Sequence, residues 1–302
     1  MAPEVVLVTG VAGQLGGRLA ATLTAEPGIT RIIGVDTRRP RAALPDRVEL
    51  VTGGTDLHDL LRTEDVDTVV HAAPRPAGHG DRDRDLVATM RLLAACQRAE
   101  NVRKLVFRST AEVYGASPTS PAVFTETDRS ARGRAVELEG YVDGLARRRP
   151  DLTVTTVRLA ELLGAGVHTA FANYLRLPVV PTALGFDARV QVLHPADAVA
   201  VLRRATTHDL PGVFNAGGDG VLLLSQAIRR AGRVALPVPR AAVPAAARLA
   251  RAELSPGLSR LLSYGRVIDT TRLKTAFGYT PGWSTAAAFD DYLHERTGIT
   301  SG

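Results

Sequence analysis

The 302-residue sequence predicts an α/β fold in which a doubly wound parallel sheet is followed by a small C-terminal lobe. Short apolar runs rich in β-branched residues alternate with helical patterns over residues 1–166, as they do in successive β-α-β units. The first run opens onto three regularly spaced glycines, and the second ends in an acidic residue. Further along the chain, prolines and glycines interrupt this alternation of strand and helix patterns. We therefore expect one domain over residues 1–166, to which 189–216 returns, and a smaller lobe over 167–302.

The glycines follow an apolar run that is typical of a buried parallel strand and precede a helical pattern. At this spacing Gly10 allows a sharp turn off the strand, Gly13 lets a pyrophosphate approach the backbone, and Gly16 lets the helix pack closely on the strand. The helix N-terminus then presents free N–H groups to phosphate. The stretch predicts a Rossmann-like dinucleotide-binding fold. The backbone groups expected at the cofactor are those of Gly10, Gly13, Gln14, Leu15 and Gly16.

The second apolar run ends in Asp36. This carboxylate lies about 20 residues beyond the glycines, where an acidic residue binds the ribose hydroxyls of a dinucleotide. Arg38 or Arg39, just after it, is placed to contact the adenosine ribose or a 2′-phosphate. Because Asp36 would repel a 2′-phosphate, the sequence favours NAD over NADP as the cofactor.

Three more residues are candidates for the cofactor site. Asp56 follows the third predicted strand and is a candidate contact for the adenine edge. Ala72 and Ala73 follow the fourth, where small side chains suit a backbone that lies against a cofactor. His71 ends that strand, and we expect a packed, hydrogen-bonded histidine there rather than an acid or a base.

A polar segment, residues 109–115, follows the fifth predicted strand. It lies at the carboxyl edge of the predicted sheet, where doubly wound folds place their chemistry. A helix predicted from about Ala131 to Arg149 follows, and Arg189 to Leu193 is predicted as a later strand.

Composition excludes several classes of partner. The net charge is +6, but the basic residues are almost all arginines that are scattered along the chain without interleaved aromatic residues, so we expect no nucleic-acid partner. No apolar stretch is long enough to span a bilayer, which argues against a membrane partner. Cys96 is the only cysteine and is predicted in the core, and the seven histidines form no close cluster, so we expect no metal. A cytoplasmic location is the default expectation.

The sequence resembles the extended short-chain dehydrogenase/reductases, in particular their NAD-dependent epimerase/dehydratase branch, nearly from end to end. That resemblance implies an NAD(P)-binding parallel sheet and a lobe that covers the substrate, which is usually a nucleotide sugar. It also implies a homodimer as the family habit. The matching pieces are Thr9-Gly10-x-x-Gly13-x-x-Gly16, Asp36, His71-Ala72-Ala73, Ser109-Thr110-x-x-Val113-Tyr114-Gly115, Arg158, His194-x-x-Asp197, Phe214-Asn215 and Phe277-Gly278-Tyr279-x-Pro281.

One element of the family pattern is missing. Family members use a tyrosine and a lysine four residues later to move a proton and to hold the cofactor ribose. Neither lysine of this chain lies four residues after a tyrosine. If Glu139 is the family's helix glutamate, the pair falls on Ala131 and Ala135; an alternative register gives Ser130 and Arg134. Arg132 and Arg134 are the nearest side chains that could fill the vacated space, with Glu112 as a partner for the charge.

Other site positions match in part. Thr110 fits the family's substrate-binding hydroxyl, and Glu112 matches the proton-abstracting glutamate of the dehydratases, although Ala111 replaces their general acid. The resemblance therefore makes Thr110 and Glu112 the candidate catalytic residues. Departures from the family pattern occur at Asp85, Glu161 and Val190. The family's arginine is expected at the position of Val190, and Arg189 lies one residue before it.

Two functions remain open from the sequence. One is an enzyme that carries out oxidoreductase-type chemistry on a nucleotide sugar or a related carbonyl compound through an altered proton relay. The other is a non-catalytic NAD-binding sensor or scaffold. The missing tyrosine favours the second, because general acid–base help is worth about 10²–10⁴-fold. The retained Thr110 and Glu112 favour the first.

Overall fold

The computed structural model describes residues 2–40, 42–53, 56–72, 82–130, 132–252 and 254–297. The strands are β1 Val5–Thr9, β2 Arg31–Asp36, β3 Val48–Thr52, β4 Thr68–His71, β5 Lys104–Thr110, β6 Thr153–Leu159, β7 Glu161–Leu162, β8 Val179–Ala183, β9 Arg189–Val190, β10 Val192–Leu193, β11 Gly212–Ala216, β12 Leu222–Leu223 and β13 Val234–Val238. The α-helices are α1 Gln14–Leu23, α2 Leu57–Thr63, α3 Arg82–Arg98, α4 Arg134–Arg148, α5 Ala170–Leu175, α6 Pro195–Thr207, α7 Leu224–Arg230, α8 Val243–Leu249, α9 Pro256–Tyr264, α10 Thr271–Thr275 and α11 Thr285–Thr297.

The chain divides into two compact units. Unit 1 comprises residues 1–109, 134–158 and 198–214, and unit 2 comprises residues 110–133, 159–197 and 215–302. The boundaries expected from sequence texture, 1–166 with 189–216 and then 167–302, describe functional domains and stay a prediction.

Unit 1 is built on a seven-stranded sheet with the order β11-β6-β5-β4-β1-β2-β3. The pairs β1–β2, β1–β4, β2–β3 and β4–β5 are all parallel. Strand order reverses between β1 and β4, and such a switch point opens a ligand crevice at the carboxyl ends of the strands. The predicted Rossmann-like doubly wound α/β fold is confirmed.

Apolar periodicity explains why these elements form. The central residues of β1 are fully buried, as expected for a strand that is covered by helices on both faces. Helix α1 buries Leu15, Leu19 and Leu23 along one face. Cys96 lies in the same kind of core, where burial raises the pKa of its thiol to about 12, so it is a packing residue.

Unit 2 consists of short elements around its own apolar core. Its paired strands are β7 with β10, β9 with β12, and β8 with β13. The core is formed largely by side chains of α5, α7, α9 and α11, among them Phe171, Tyr174, Leu261 and Phe289. No helix in the described part of the chain combines the length and the apolar character needed to cross a membrane.

Two predicted elements have different bounds in the structure. The helix expected from about Ala131 begins at Arg134, after Gly133 with a φ of 143°, and Ala131 lies outside the described residues. The single strand expected over Arg189 to Leu193 is two strands, because β9 pairs antiparallel with β12 whereas β10 pairs parallel with β7. Gln191, between them, uses its side chain to bond Gly218 O and Ile268 N.

Candidate functional site

The glycine stretch forms a tight turn between β1 and α1. Gly10 has a φ of 78° and its N–H donates to Val35 O at 2.9 Å, while the N–H of Gly13 donates back to Gly10 O at 2.9 Å. A Cβ added at Gly16 would lie 2.8 Å from the carbonyl carbon of Gly10, inside van der Waals contact. The turn therefore requires a residue without a side chain at Gly10 and Gly16.

The turn ends at an uncapped helix N-terminus. Gly13 is the N-cap of α1 and provides no side-chain bond, and the first helical N–H to return to the turn is that of Gly17, which donates to Gly13 O at 2.9 Å. The N–H groups of Gln14, Leu15 and Gly16 precede it. Donors at the positive end of a helix dipole fit a pyrophosphate, so this part of the chain suits a dinucleotide.

Asp36 lies beside the same turn. Its Oδ2 accepts from Ala12 N at 3.0 Å, and its Oδ1 accepts from Arg38 N at 3.1 Å. An ionised carboxylate offers about four lone-pair sites, so both oxygens retain capacity for ribose hydroxyls. The side chains of Arg38 and Arg39 belong to exposed residues. This geometry supports the predicted role of Asp36 in binding ribose.

The other predicted cofactor residues have varied surroundings. Asp56 caps α2 by accepting from His58 N at 2.8 Å, and such backbone bonds hold the pKa of its carboxyl below the usual value. Ala72 is buried, and its carbonyl accepts from Arg108 Nη1 at 3.3 Å. Ala73 lies outside the described residues. The roles proposed for these three residues stay predictions.

His71 is a packed core residue, as its sequence context indicates. Its Nδ1 lies 2.6 Å from Thr9 Oγ1 and its Nε2 lies 2.9 Å from Thr89 Oγ1. Because the Thr89 hydroxyl donates to Asp85 O, it accepts from Nε2, which leaves Nδ1 to accept from Thr9. Complete burial lowers the pKa of His71 to about 3, so the ring is neutral.

Helix α4 is anchored in unit 1 by a buried ion pair. Arg158 on β6 binds Glu139 through Nε–Oε1 at 2.9 Å and Nη2–Oε2 at 2.7 Å, and both side chains are 2% exposed. Ser109 Oγ donates to Glu139 Oε1 at 2.6 Å. These contacts fix the position of α4 next to β5 and β6.

Arg134, one of the two arginines expected near the vacated space, is the first residue of α4. Arg134 pairs with Asp85 of α3, with 3.3 Å between Nη2 and Oδ2. The ion-pair partner that the structure gives Arg134 is thus a carboxylate of α3, the helix packed beside α4. The suggestion of Glu112 as a partner for such an arginine stays a prediction. Arg132 is exposed and Ala135 is half-buried.

In unit 2, Thr110 and Glu112 are neighbours in a short 3-10 turn, residues 111–114. The hydroxyl of Thr110 accepts from Glu112 N at 3.3 Å. Glu112 is half-buried against the start of α9, where a Cβ at Gly257 would lie 2.9 Å from its Cδ. Its charge also acts on Arg266. The candidate catalytic carboxylate thus lies at a helix N-terminus and near a buried guanidinium.

Arg266 is a residue that the sequence did not reveal. Its side chain is 2% exposed, its Nε donates to Gly115 O at 2.9 Å, and its Nη1 lies 3.9 Å from Glu161 Oε1. Burial lowers the pKa of Arg266, while Glu161 and Glu112 oppose that shift. A lone arginine before two apolar residues carries no signal of this role, because its partners are distant in sequence.

Unit 2 contains a cavity of about 520 Å³. Its wall includes residues 114–121 and the exposed arginines Arg129, Arg240 and Arg260. The guanidinium carbon of Arg240 lies 5.4 Å from the ring centroid of Tyr264, which also lines the cavity. Arginines beside an aromatic ring suit a ligand that combines phosphate with a flat ring. Glu112 is absent from the described residues that line it.

Several matching motif pieces hold unit 2 together. Tyr114 Oη donates to Asn215 Oδ1 at 2.5 Å, and His194 Nε2 lies 3.0 Å from Asp291 Oδ2. Asp197 Oδ1 accepts from Tyr279 Oη at 2.6 Å and from a nearby backbone N–H. In the structure these polar residues of the family motif connect segments of unit 2 that are distant in sequence. Among the described residues no group of acidic, histidine or cysteine side chains is arranged to hold a metal ion.

The parallel sheet, the uncapped glycine turn at its switch point and the carboxylate at the end of β2 define a dinucleotide-binding protein of the doubly wound class. More particularly, the chain belongs to the NAD dependent epimerase/dehydratase family, whose sequence model matches residues 6–217. The resemblance inferred from the motifs is confirmed.

Relatives and solved structures agree with this assignment. The chain is 45% identical over 321 aligned residues to the uncharacterized protein Rv0501 of Mycobacterium tuberculosis, covering 99% of this chain and 85% of that protein. Its fold is similar to that of UDP-glucose 4-epimerase of Thermotoga maritima with UDP-glucose (TM-score 0.75, 18% identity, 98% and 99% of the two chains). It is also similar to UDP-glucuronic acid 4-epimerase of Bacillus cereus in complex with NAD (TM-score 0.72, 18% identity, 98% and 99%). At this identity the structures establish the fold alone.

Proposed function

We propose that the protein carries out NAD-dependent oxidoreductase chemistry on a nucleotide sugar or a related carbonyl compound, with a proton relay that uses no tyrosine–lysine pair. The observation that carries the proposal is the arginine-lined cavity of unit 2, in a chain whose unit 1 has a pyrophosphate turn. The cavity volume of about 520 Å³ lies within the range of small-ligand sites. Family membership and the nucleotide sugars named with the similar structures support this substrate class.

Unit 1 would bind NAD through the turn Gly10–Gly16 and through Asp36. The backbone donors at the start of α1 neutralise the pyrophosphate, and the carboxylate of Asp36 accepts hydrogen bonds from ribose hydroxyls. A 2′-phosphate next to that carboxylate would be repelled, which favours NAD over NADP. When bound, NAD supplies the hydride acceptor or donor for a carbinol or carbonyl carbon.

Unit 2 would bind the substrate and move protons. Arg129, Arg240 and Arg260 give the cavity a positive wall for phosphate oxygens. Thr110 offers a hydroxyl, and Glu112 is the candidate proton-accepting carboxylate. In this proposal Glu112 acts on a substrate carbon acid and not on the cofactor.

The decisive experiment incubates the purified full chain with NAD and with UDP-glucose or UDP-glucuronic acid. Expected outcomes are a nucleotide sugar in the mass spectrum of co-purifying molecules and a changed sugar product, or the near-ultraviolet absorbance of NADH, after incubation. Glu112→Gln should remove turnover while NAD affinity is retained, and Arg260→Met should weaken sugar-nucleotide binding. Arg251→Met is the matched control, because Arg251 is exposed and absent from the cavity wall. No turnover and no nucleotide-sugar binding would contradict the proposal.

A second function is favoured by one observation. Glu112 is engaged against Gly257 and beside Arg266, as a structural carboxylate would be, and the family's tyrosine–lysine pair is absent. The second candidate is therefore a non-catalytic NAD-binding sensor or scaffold. Co-purification of NAD alone, with Glu112→Gln lowering the melting temperature and no sugar converted, would favour the sensor.

A further inference from the structure

Exposed aliphatic side chains are concentrated in one part of unit 2. Seven of the twelve exposed large apolar residues in the described chain fall within residues 179–186 and 221–249. Exposed apolar residues that stand singly need no explanation, but a concentration of them marks an interaction site. We call residues 179–184 and 229–251, which comprise β8, β13 and α8, the apolar–basic surface. Its most exposed large apolar members are Val179, Leu184, Val234, Leu236 and Leu249.

The strand pair β8–β13 brings four of these leucines and valines together. Val234 is the register partner of Val179, and the two residues are 65% and 44% exposed. Leu236 lies two positions after Val234 and therefore on the same face of the pair. At the other end of β13, the N–H of Leu184 donates to Val238 O at 2.9 Å, which places Leu184 next to this strand. The strand pair thus presents a row of aliphatic side chains to solvent.

Helix α8 adds another exposed leucine, between two arginines. It packs against β8 and ends at Leu249, which is 89% exposed. Arg248 precedes this leucine, and Arg251 follows it with a φ of 64°, in the left-handed conformation that helix ends usually give to glycine. Both arginines are exposed. The end of α8 therefore presents an aliphatic side chain together with two positive charges.

Positive charge is concentrated in the same segment. Residues 220–252 contain six arginines and no acidic residue, and the net charge of the whole chain is +6, so the rest of the sequence is balanced. Within the described part of the chain, Arg230 is the one of these six arginines that pairs with a carboxylate, with 3.8 Å between Nη1 and Asp290 Oδ1. The others leave a positive field around the aliphatic residues, which is complementary to a partner with negative charge next to apolar groups.

Three other partners fit this surface less well. The N–H of Val234 donates to Pro178 O, so Ala235 and Pro237 form the outward edge of β13. A strand added by a protein partner would lose a ladder bond at Pro237, which has no N–H. A second copy of the chain would bring like charges together. Residues 220–252 contain no aromatic side chain on which nucleic-acid bases could stack.

We propose that the apolar–basic surface docks unit 2 onto an anionic lipid bilayer. The guanidinium groups donate hydrogen bonds to phosphate oxygens of the headgroups. Val234, Leu236 and Leu249 enter the boundary between the headgroups and the acyl chains, as the apolar face of an interfacial segment does. Anionic lipid attracts the arginines from solution and holds the aliphatic side chains at that depth. Docking of this kind requires no membrane-spanning segment.

The first test sediments the full chain with vesicles of phosphatidylcholine alone and with vesicles of equal parts phosphatidylcholine and phosphatidylglycerol. We expect binding to the anionic vesicles alone, and added salt should weaken it. Arg248→Gln combined with Arg251→Gln should lower the affinity about ten- to thirtyfold. The matched control is Arg62→Gln combined with Arg98→Gln, at two exposed arginines of unit 1, which should bind like the native chain.

The second test measures insertion of the aliphatic side chains. Cys96 is the only cysteine and is buried, so Leu249→Cys and the control Leu50→Cys each add one accessible thiol for an environment-sensitive fluorophore. Anionic vesicles should shift the emission to the blue at position 249 and leave it unchanged at position 50. Leu236→Ser should lower the vesicle affinity about three- to tenfold while the melting temperature is retained, because this side chain is exposed.

Failure of the native chain to bind anionic vesicles at low salt would overturn the proposal. Equal binding by the native chain and by Arg248→Gln combined with Arg251→Gln would also overturn it, as would unchanged emission at position 249. Arginine-dependent binding of polyglutamate without vesicle binding would assign the surface to an acidic polypeptide. A dimer in sedimentation velocity that Leu236→Ser dissociates would assign it to a second copy of the chain. Either assignment would contradict docking onto a bilayer.

Discussion

Removing the guanidinium of Arg158 is the sharpest test of how unit 1 is stabilised. Arg158→Met keeps an unbranched side chain but leaves the carboxylate of Glu139 buried without its bidentate partner. Breaking a buried pair from one side costs about 3–5 kcal/mol, because the remaining charge stays desolvated. At about 2–4 °C per kcal/mol for a domain of this size, the melting temperature should fall by roughly 6–20 °C.

The measurement is urea unfolding and thermal melting followed by circular dichroism. Arg31→Met is the matched control, since Arg31 pairs with Glu49 and Glu64 at the surface and its own side chain is 39% accessible. Such surface pairs contribute about 0–1 kcal/mol. Glu139→Gln combined with Arg158→Met should lose less stability than the sum of the single variants, with a coupling of about 1–3 kcal/mol. A loss below about 1 kcal/mol for Arg158→Met would refute the reasoning.

Three further outcomes follow from the geometry of unit 1. Gly16→Ala should abolish NAD binding in a calorimetric titration, because the added methyl group would lie 2.8 Å from the carbonyl carbon of Gly10. Gly140→Ala, at an open position of α4, should leave NAD binding unchanged and stabilise the helix by about 0.5–1 kcal/mol. Asp36→Ala should lower the affinity for NAD and raise the ratio of NADP affinity to NAD affinity, which a competitive titration measures. The buried His71 should make stability depend on pH, because its pKa of about 3 lies below the ordinary 6.5. The contribution of neutral His71 to the free energy of unfolding is fully present above pH 6.5. It is lost as the pH falls below 6.5, at up to about 1.4 kcal/mol per pH unit. His71→Asn should flatten that slope in urea unfolding between about pH 7 and pH 5.

Each of these expectations has a contrary result. Undiminished NAD affinity in Gly16→Ala would mean that the turn can widen. An unchanged ratio of NAD affinity to NADP affinity in Asp36→Ala would mean that this carboxylate does not select between the two cofactors. An unaltered pH slope in His71→Asn would assign the acid sensitivity to other groups.

The sequence was most informative where a function depends on residues close together in the chain. The turn from Gly10 to Gly16 and the carboxylate of Asp36 follow strands whose apolar runs are readable without any partner. Pairings between distant segments were not readable. The partner of Arg134 is Asp85, 49 positions earlier, and nothing local marks either residue as half of a pair.

The C-terminal half shows the same limit in another form. The sequence predicted one strand over Arg189 to Leu193, but the two ends of that stretch pair with different strands, which only the tertiary structure decides. Arg266 likewise resembles any surface arginine in the sequence, although its side chain is buried in unit 2.

The anchoring of α4 has an evolutionary consequence. Ser109, Glu139 and Arg158 hold the middle of this helix, so side chains near its start can change without moving the helix. A substitution there can change a chemical group while the helix keeps its position. Replacement of Glu139 or Arg158 alone leaves the other buried charge without its partner. This pair can therefore change only when both residues are replaced together. Side chains at the start of α4 can therefore diverge freely, whereas the buried pair that holds the helix in place is constrained.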